Sequence, residues 1–266
     1  MLYIYGTVYN NKNIVINSIE SLSKINVEKT FLIVDNYSND GTYEILNGIK
    51  DQYNIKLKRI KCSRGFGRQK SVEMVLKESS NTDLFMVFDL DTVYTDVFIK
   101  LIEYGIQNID KRGVFLNQLC YKEVNFNTPW RDLNYGEDWE RKAHFIHSGY
   151  TLINVDTAKF GKLNYNEKYE KREKRYANGI TYYKRLIKNN IDLFRAWNIS
   201  SYKNLKLYMK IANAKKSYFI FLLLILVYIK LFNNVYKYSD DLNIIYVRKN
   251  QKIMDIPKVK IREVTK

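Results

Sequence analysis

Short apolar runs alternate with helix-spaced apolar positions from the first residue to about residue 119, and this rhythm limits the fold more than any other feature. Leu2–Val8 reads as a strand, followed by Ile14, Ile19, Leu22 and Ile25 at helical spacing. Phe31–Asp35 is a second strand and Thr42–Tyr53 a second helix. Ile55–Ile60 is a third strand, and Arg68–Glu78 carries Val72, Val75 and Leu76 on one helical face. Leu84–Asp89 and Val97–Ile106 repeat the pair, and Val114–Leu119 closes the series as a strand. Strands separated by helices of about ten residues imply βαβ units and a mostly parallel sheet. Ligands of such sheets bind beyond the carboxyl ends of the strands, which gathers Thr7, Asp35 and Asp89 at one edge.

Two of those strand ends carry acids that a buried strand does not need. The stretch VFDLDTVY sets Asp89 and Asp91 directly after an apolar run. On an extended chain, positions i and i+2 face the same way, so two like charges converge unless a divalent cation joins them. Mg²⁺ or Mn²⁺ prefers hard oxygen ligands and is commonly completed by substrate phosphates. Asp35 opens the loop VDNYSNDGT, in which Ser38, Asn39 and Asp40 are cap formers and Gly41 permits a tight turn. A carboxylate there can accept a hydrogen bond from a base N–H or a ribose hydroxyl. CSRGFGRQKS lacks the third glycine of a dinucleotide fingerprint, because Lys70 stands in its place. It sets Arg64, Arg68 and Lys70 around Gly65 and Gly67 at a helix start, the make-up of a flexible phosphate cradle. Glu137 and Asp138 lie about fifty residues after Asp89, with Trp139 beside them to pack on a sugar ring. Acids are also ordinary in the first turn of a helix.

In that order and spacing, Thr7–Tyr9 with Asn10, VDNYSNDGT, RGFGRQ, DLD and ED resemble the GT-A glycosyltransferases of family 2, inverting enzymes that include the polyprenyl-phosphate sugar transferases. The resemblance covers roughly residues 1–200. It implies an α/β fold with a Rossmann-like, mostly parallel sheet flanked by helices, and Mn²⁺ or Mg²⁺ as cofactor. Asp35 would contact the nucleotide base and Asp89 the donor, with Asp91 and Asp89 on the metal. Asp138, or Glu137 in reserve, would be the catalytic base. Thr7, Tyr9, Ser38 and Asp40 would line the nucleotide sugar, as would Arg64, Gly65, Arg68 and Trp139. No Q-x-x-R-W is present, which argues against a processive polysaccharide synthase.

The reaction implied is transfer of a sugar from a nucleotide diphosphate to a hydroxyl on a glycan, lipid or protein. A polyprenyl-phosphate sugar synthase is the alternative. The formal net charge of +16 favours anionic partners, but a nucleic-acid-binding protein would leave the strand-end acids unexplained. A sugar nucleotidyltransferase would want a glycine-rich loop after the first strand, where TVYNNKN stands instead. Cys62 and Cys120 fit neither a metal knuckle nor a disulfide framework, and His144 with His147 lacks a third zinc ligand. Arg172–Arg175 reads as a solvated face or a loop closing over the diphosphate.

From residue 201 to 266 the composition changes. Lys203, Lys206, Lys210, Lys215 and Lys216 precede the apolar run Tyr218–Ile229, which reaches Phe232 only across Lys230. A full membrane span needs about 20 residues. A short apolar run with basic flanks on both sides suits a peripheral, re-entrant or single-pass helical segment on the cytoplasmic side of a membrane. The N-terminus has no basic stretch before a long apolar one, so no signal peptide is expected.

Overall fold

A computed structural model of the 266-residue chain describes residues 1–134, 136–155, 162–165, 220, 222–225, 227 and 262–264. Its centre is a five-stranded sheet of order β3-β2-β1-β4-β7. β1 (Leu2–Val8), β2 (Lys29–Asp35), β3 (Ile55–Arg59) and β4 (Leu84–Val87) run parallel, and β7 (Cys120–Tyr121) is antiparallel to β4. The helices α1 (Val15–Ser23), α2 (Thr42–Gly48) and α3 (Arg64–Glu73) make the crossovers. Further along lie β5 (Val93–Tyr94), α4 (Asp96–Asn108) and β6 (Gly113–Val114). After β7 come α5 (Lys122–Asn127), α6 (Glu137–His147), β8 (Thr151–Val155) and β9 (Asn164–Tyr165). β10 (Arg262–Val264) pairs with β8, and β9 with β5.

The strands read as continuous apolar runs because both faces of the sheet are covered. Leu2, Ile4 and Val8 of β1, Phe31 and Ile33 of β2, and Leu84 and Met86 of β4 pack with α1, α2 and α4. The alternate residues Tyr3, Tyr5, Leu32, Phe85 and Val87 pack with Val72 and Val75 of α3 and with Trp130. Most of these side chains are fully buried, and each is worth about 1.5–3 kcal/mol on leaving water. Thr95 caps α4 by accepting the Phe98 N–H.

Several boundaries differ from the sequence reading: α2 ends at Gly48 rather than Tyr53 and α3 at Glu73 rather than Glu78. α3 starts at Arg64, four residues early, because Ser63 caps it by accepting the Phe66 N–H at 3.0 Å. β4 stops at Val87, before the acids. The expected strand Val114–Leu119 is instead the two residues of β6 and a 3₁₀ turn at Leu116–Gln118, in which Asn117 and Gln118 have φ of 51° and 55°.

Candidate active site

β1 sits between β2 and β4, and the chain leaves it in opposite directions, so the crevice of such a sheet opens at its carboxyl end. Val8 is registered with Asp35, and Tyr5 with Val87. Thr7, Asp35 and Asp89 therefore share one edge, as expected.

On the β2 side, Asp35 is fully buried. Its Oδ2 accepts the Ser38 N–H at 3.0 Å and lies 3.2 Å from Arg59 Nε. No donor among the described residues reaches its Oδ1. Arg59 also donates to the Ser38 carbonyl and rests over the rings of Tyr37 and Tyr43. Ser38 Oγ accepts the Asn10 N–H and Asp40 accepts the Lys12 N–H, so the two residues brace the loop after β1 against the loop after β2. Burial alone would raise the Asp40 carboxyl, but hydrogen bonds from Thr42 and Lys12 outweigh it and hold the group below its ordinary range. Tyr9 and Tyr37 stand half-exposed beside this corner.

The glycines of RGFGR give close packing rather than a flexible cradle. A Cβ on Gly65 would fall 1.9 Å from the Arg131 carbonyl oxygen, and one on Gly67 2.0 Å from Thr7 Cγ2. Bare backbone lets α3 press on β1 and on the 131–133 loop, where Gly65 N–H donates to the Leu133 carbonyl. That seats Arg68 at 2% exposure. Its guanidinium meets Asp89 Oδ1 at 2.8 Å, Glu137 Oε1 at 2.9 Å and Asp138 Oδ1 at 2.6 Å. Arg64 adds a second cation, 3.4 Å from Glu137.

Asp89 and Asp91 lie in a turn, closed by the Thr92 N–H on the Asp89 carbonyl, and not on an extended stretch. The turn is braced: the Asp89 N–H donates to Tyr94 Oη, and Ser18 Oγ donates to the Asp89 carbonyl. The Asp89 side chain is 52% exposed. Asp91 is buried and accepts from Thr92 Oγ1. Among the described residues no group of three or more His, Cys, Asp or Glu is arranged to hold a metal alone. The carboxylates of the turn still suit a hard divalent cation that draws its other ligands from water and phosphate.

Glu137 and Asp138 both turn to Arg68, although adjacent positions on a helix point apart. Glu137 is buried, and burial, opposed by Arg68, pushes its carboxyl above its ordinary range. Asp138 is 42% exposed, so of the two it is the carboxylate an incoming acceptor can meet.

Behind the acids lies a polar network that the sequence reading missed. Arg141, fully buried, donates to Tyr5 Oη, to Gln118 Oε1, to the Thr128 carbonyl and to Asn125. Trp130 donates to the same Tyr5 hydroxyl, and both Arg68 and Arg141 lie over its ring, at 4.6 and 4.5 Å. A lone Trp and Arg in a polar stretch carry no periodic signal; only the fold brings Tyr5 to them. Nearby, Glu140 is fully buried, with Arg131 Nε and His144 Nε2 at 2.9 and 3.2 Å from one oxygen but not aligned to donate. Burial, opposed by Arg131 and Arg141, pushes the Glu140 carboxyl up to about 7. His144 thus sits beside a buried carboxyl. The cysteines are free thiols, pushed up by burial to about 11 for Cys62 and about 12 for Cys120.

The side chains of Trp139 and His147, and the cluster Arg172–Arg175, lie outside the described residues. Of Tyr218–Phe232, residues 220, 222–225 and 227 are described and helical. Leu222 and Ile225 are buried there, while Ile220, Leu224 and Val227 are exposed. No helix among the described residues is long and apolar enough to cross a membrane.

Residues 4–191 match the family model described as Glycosyl transferase family 2. No curated protein matches the chain. Among solved structures, the chain is similar to S. aureus TarS 1-349 in complex with UDP-GlcNAc, with TM-score 0.54 and 12% identity over 82% of this chain and 73% of that one. It is similar also to the mannosyltransferase PcManGT from Pyrobaculum calidifontis in complex with GDP-Man and Mn²⁺, with TM-score 0.53 and 10% identity over 89% of this chain and 76% of that one. Against TarS 1-349 in complex with UDP, the match spans 54% of that chain. At these identities the likeness is one of fold.

Proposed function

Since the chain belongs to glycosyl transferase family 2, we propose that it moves a sugar from a nucleotide diphosphate to an acceptor hydroxyl, with inversion at the anomeric carbon. The observation that carries this reading is Arg68, which holds an acid from the strand-β4 turn and an acid from α6 on one guanidinium, at 2.8 and 2.6 Å. Asp89 and Asp138 are then neighbours across a single side chain, and both are open to solvent. One belongs with the leaving diphosphate and the other with the attacking hydroxyl, the two ends of a direct displacement. Solved relatives that hold UDP-GlcNAc, or GDP-Man with Mn²⁺, support the donor class and the metal.

Asp138 takes the hydroxyl proton as the acceptor oxygen bonds to the anomeric carbon. The bond from that carbon to the diphosphate breaks, and its electron pair leaves on phosphate oxygen. Asp91 and Asp89 would hold a Mn²⁺ or Mg²⁺, which would supply charge stabilisation for the leaving diphosphate. Asp35 takes the base, with Thr7, Tyr9, Ser38 and Asp40 around it. Arg64 and Gly65 stand at the start of α3, and Trp139 would face the sugar. Residues 1–200 form the catalytic unit and 201–266 a basic, apolar segment that rests on a membrane; the exposed Ile220, Leu224 and Val227 support that role.

The test is donor binding by calorimetry with Mn²⁺ and with chelator, for the full chain and for Asp91→Ala. Equal donor binding in all four conditions removes the metal from the reading. A polyprenyl phosphate acceptor, suited to the lysine-flanked apolar run, is already ionised and needs no base. It becomes the better reading if Asp138→Asn and Glu137→Gln both turn over within a few-fold of the unaltered chain.

A further inference from the structure

We infer that Arg141 is a positioning residue for Asp138. It acts by seating two side chains that hold that carboxylate, Gln118 by a hydrogen bond and Arg68 through the ring of Trp130. The inference rests on the reading of Asp138 as the base and adds the group that sets its orientation.

Arg141 follows Asp138 by three positions on α6, so the two are neighbours along the helix surface. One faces the cleft and the other the interior: Asp138 is 42% exposed and Arg141 is fully buried. The buried guanidinium uses every donor it has. Nε donates to the Thr128 carbonyl at 2.7 Å. Nη1 donates to Tyr5 Oη and, at 3.2 Å, to Gln118 Oε1. Nη2 donates to the Asn125 carbonyl at 3.0 Å and to Asn125 Oδ1 at 2.6 Å. All of these acceptors are neutral. A charge taken out of water without a bonded counter-ion is costly, and exchanging buried ionic groups for apolar ones of similar volume is often neutral or stabilising. Core packing alone therefore does not account for an arginine here. What the arginine supplies is a rigid planar fork that ties α6 to β1, to α5 and to the 3₁₀ turn at once.

Two arms run from that fork to Asp138. Gln118 is the first. Arg141 takes its amide oxygen, which turns the amide Nε2 toward Asp138 Oδ1 at 3.5 Å. Asn117 and Gln118 have φ of 51° and 55°, and consecutive non-glycine residues keep such angles only where their surroundings hold them. Arg141 holds Gln118, while Asn117 Nδ2 donates to the Val87 carbonyl at 3.1 Å, just before the Asp89 turn. Trp130 is the second arm. Its indole N–H donates to the same Tyr5 hydroxyl that Arg141 meets, and the ring lies 4.5 Å from the Arg141 guanidinium and 4.6 Å from that of Arg68. Arg68 in turn meets Asp138 Oδ1 at 2.6 Å. Both arms end on Oδ1, so the direction in which the carboxylate offers its other oxygen to a hydroxyl follows from Arg141.

The test is a double-substitution cycle on the full chain with Mn²⁺: unaltered, Arg141→Lys, Asp138→Asn and the two together. The rate is nucleoside diphosphate released from a panel of UDP-, GDP- and dTDP-sugars with water as acceptor, and calorimetry gives donor affinity. Lysine keeps the charge but, as a point donor, cannot span Gln118, Tyr5 and Asn125 together. Arg141→Lys is expected to lower kcat by about tenfold to a hundredfold and to leave donor affinity within about twofold. In the Asp138→Asn background the same substitution is expected to change the rate by less than about twofold, since the group it positions is gone. An arginine that only holds the fold lowers the rate by the same factor in both backgrounds, and that result overturns the inference while leaving the base reading intact. An unchanged kcat in Arg141→Lys overturns it as well. If Asp138→Asn itself turns over within a few-fold of the unaltered chain, the base reading falls and this inference with it; if no donor of the panel is cleaved, the proposed reaction falls and takes both. Should Arg141→Lys fail to fold, as far-UV circular dichroism would show, Gln118→Asn takes its place in the cycle under the same outcomes. Asparagine tolerates the left-handed backbone, and its shorter side chain withdraws the amide from both Arg141 and Asp138.

Discussion

Two arginines hold acids at the carboxyl edge of the sheet, and they do so differently. Arg59 is one-third exposed and meets one fully buried carboxylate, Asp35. Arg68 is almost fully buried and meets three, of which Asp89 and Asp138 are about half-exposed. The first pairing is balanced in charge and leaves one oxygen over, so it suits a neutral N–H donor. The second gathers several charges at once: Arg68 and Arg64 face Asp89, Glu137 and Asp138, and Lys142 adds a cation near Asp138. One edge of one sheet thus holds two unlike acid corners, separated by how many acids each arginine serves.

The strongest test of that contrast is Asp138→Asn, expected to lower turnover by about 10²–10⁴ and to leave donor affinity near that of the unaltered chain. Steady-state rates and calorimetry on one preparation check it. Next, Arg68→Met strands Glu137 and its neighbours, and removing one partner of a buried ion pair costs about 3–5 kcal/mol. Arg59→Met leaves a single acid with one remaining donor and is expected to cost about 1–3 kcal/mol. Urea unfolding of the two variants ranks them, and a larger loss from Arg59→Met breaks the comparison.

Glu140 offers a third kind of acid, buried and poorly aligned with its partners. Its carboxyl rises from an ordinary 4.5 to about 7, so the folded chain favours the protonated form. The stability this contributes is fully present below pH 4.5 and is lost as pH rises through about 7, amounting to about 3 kcal/mol at 1.36 kcal/mol per unit. Thermal unfolding between pH 4.5 and 8 is expected to show that slope, and Glu140→Gln to flatten it. The exposed pair Lys24–Asp96, at 3.3 Å, sets the lower bound: Lys24→Ala is expected to cost less than about 1 kcal/mol.

Much of this was legible in the chain. The bounds of β1 come straight from its apolar run, because a strand covered on both faces stays largely apolar along its length. Asp35 and Asp89 stood out because they end such runs. The glycines of RGFGR were legible as glycines but not in their use, since a close approach to Thr7 and to the Arg131 carbonyl depends on segments distant in the chain. Likewise β7 is two residues long and carries no period.

What the sequence determined by itself is the layered α/β plan and the strand ends at which acids gather, because both follow from local periodicity and from the cost of burying charge. What only the tertiary structure decided is the pairing. Arg68 reaches Asp138 across 70 residues, and Arg141 reaches Tyr5 across 136. Which acids share a cation, and which oxygen of Asp35 is left over, depends on contacts between segments whose separation along the chain is unrelated to their distance in space. No local pattern records such contacts, and they exist only once the packing of α3 and α6 on the sheet has brought the charges together.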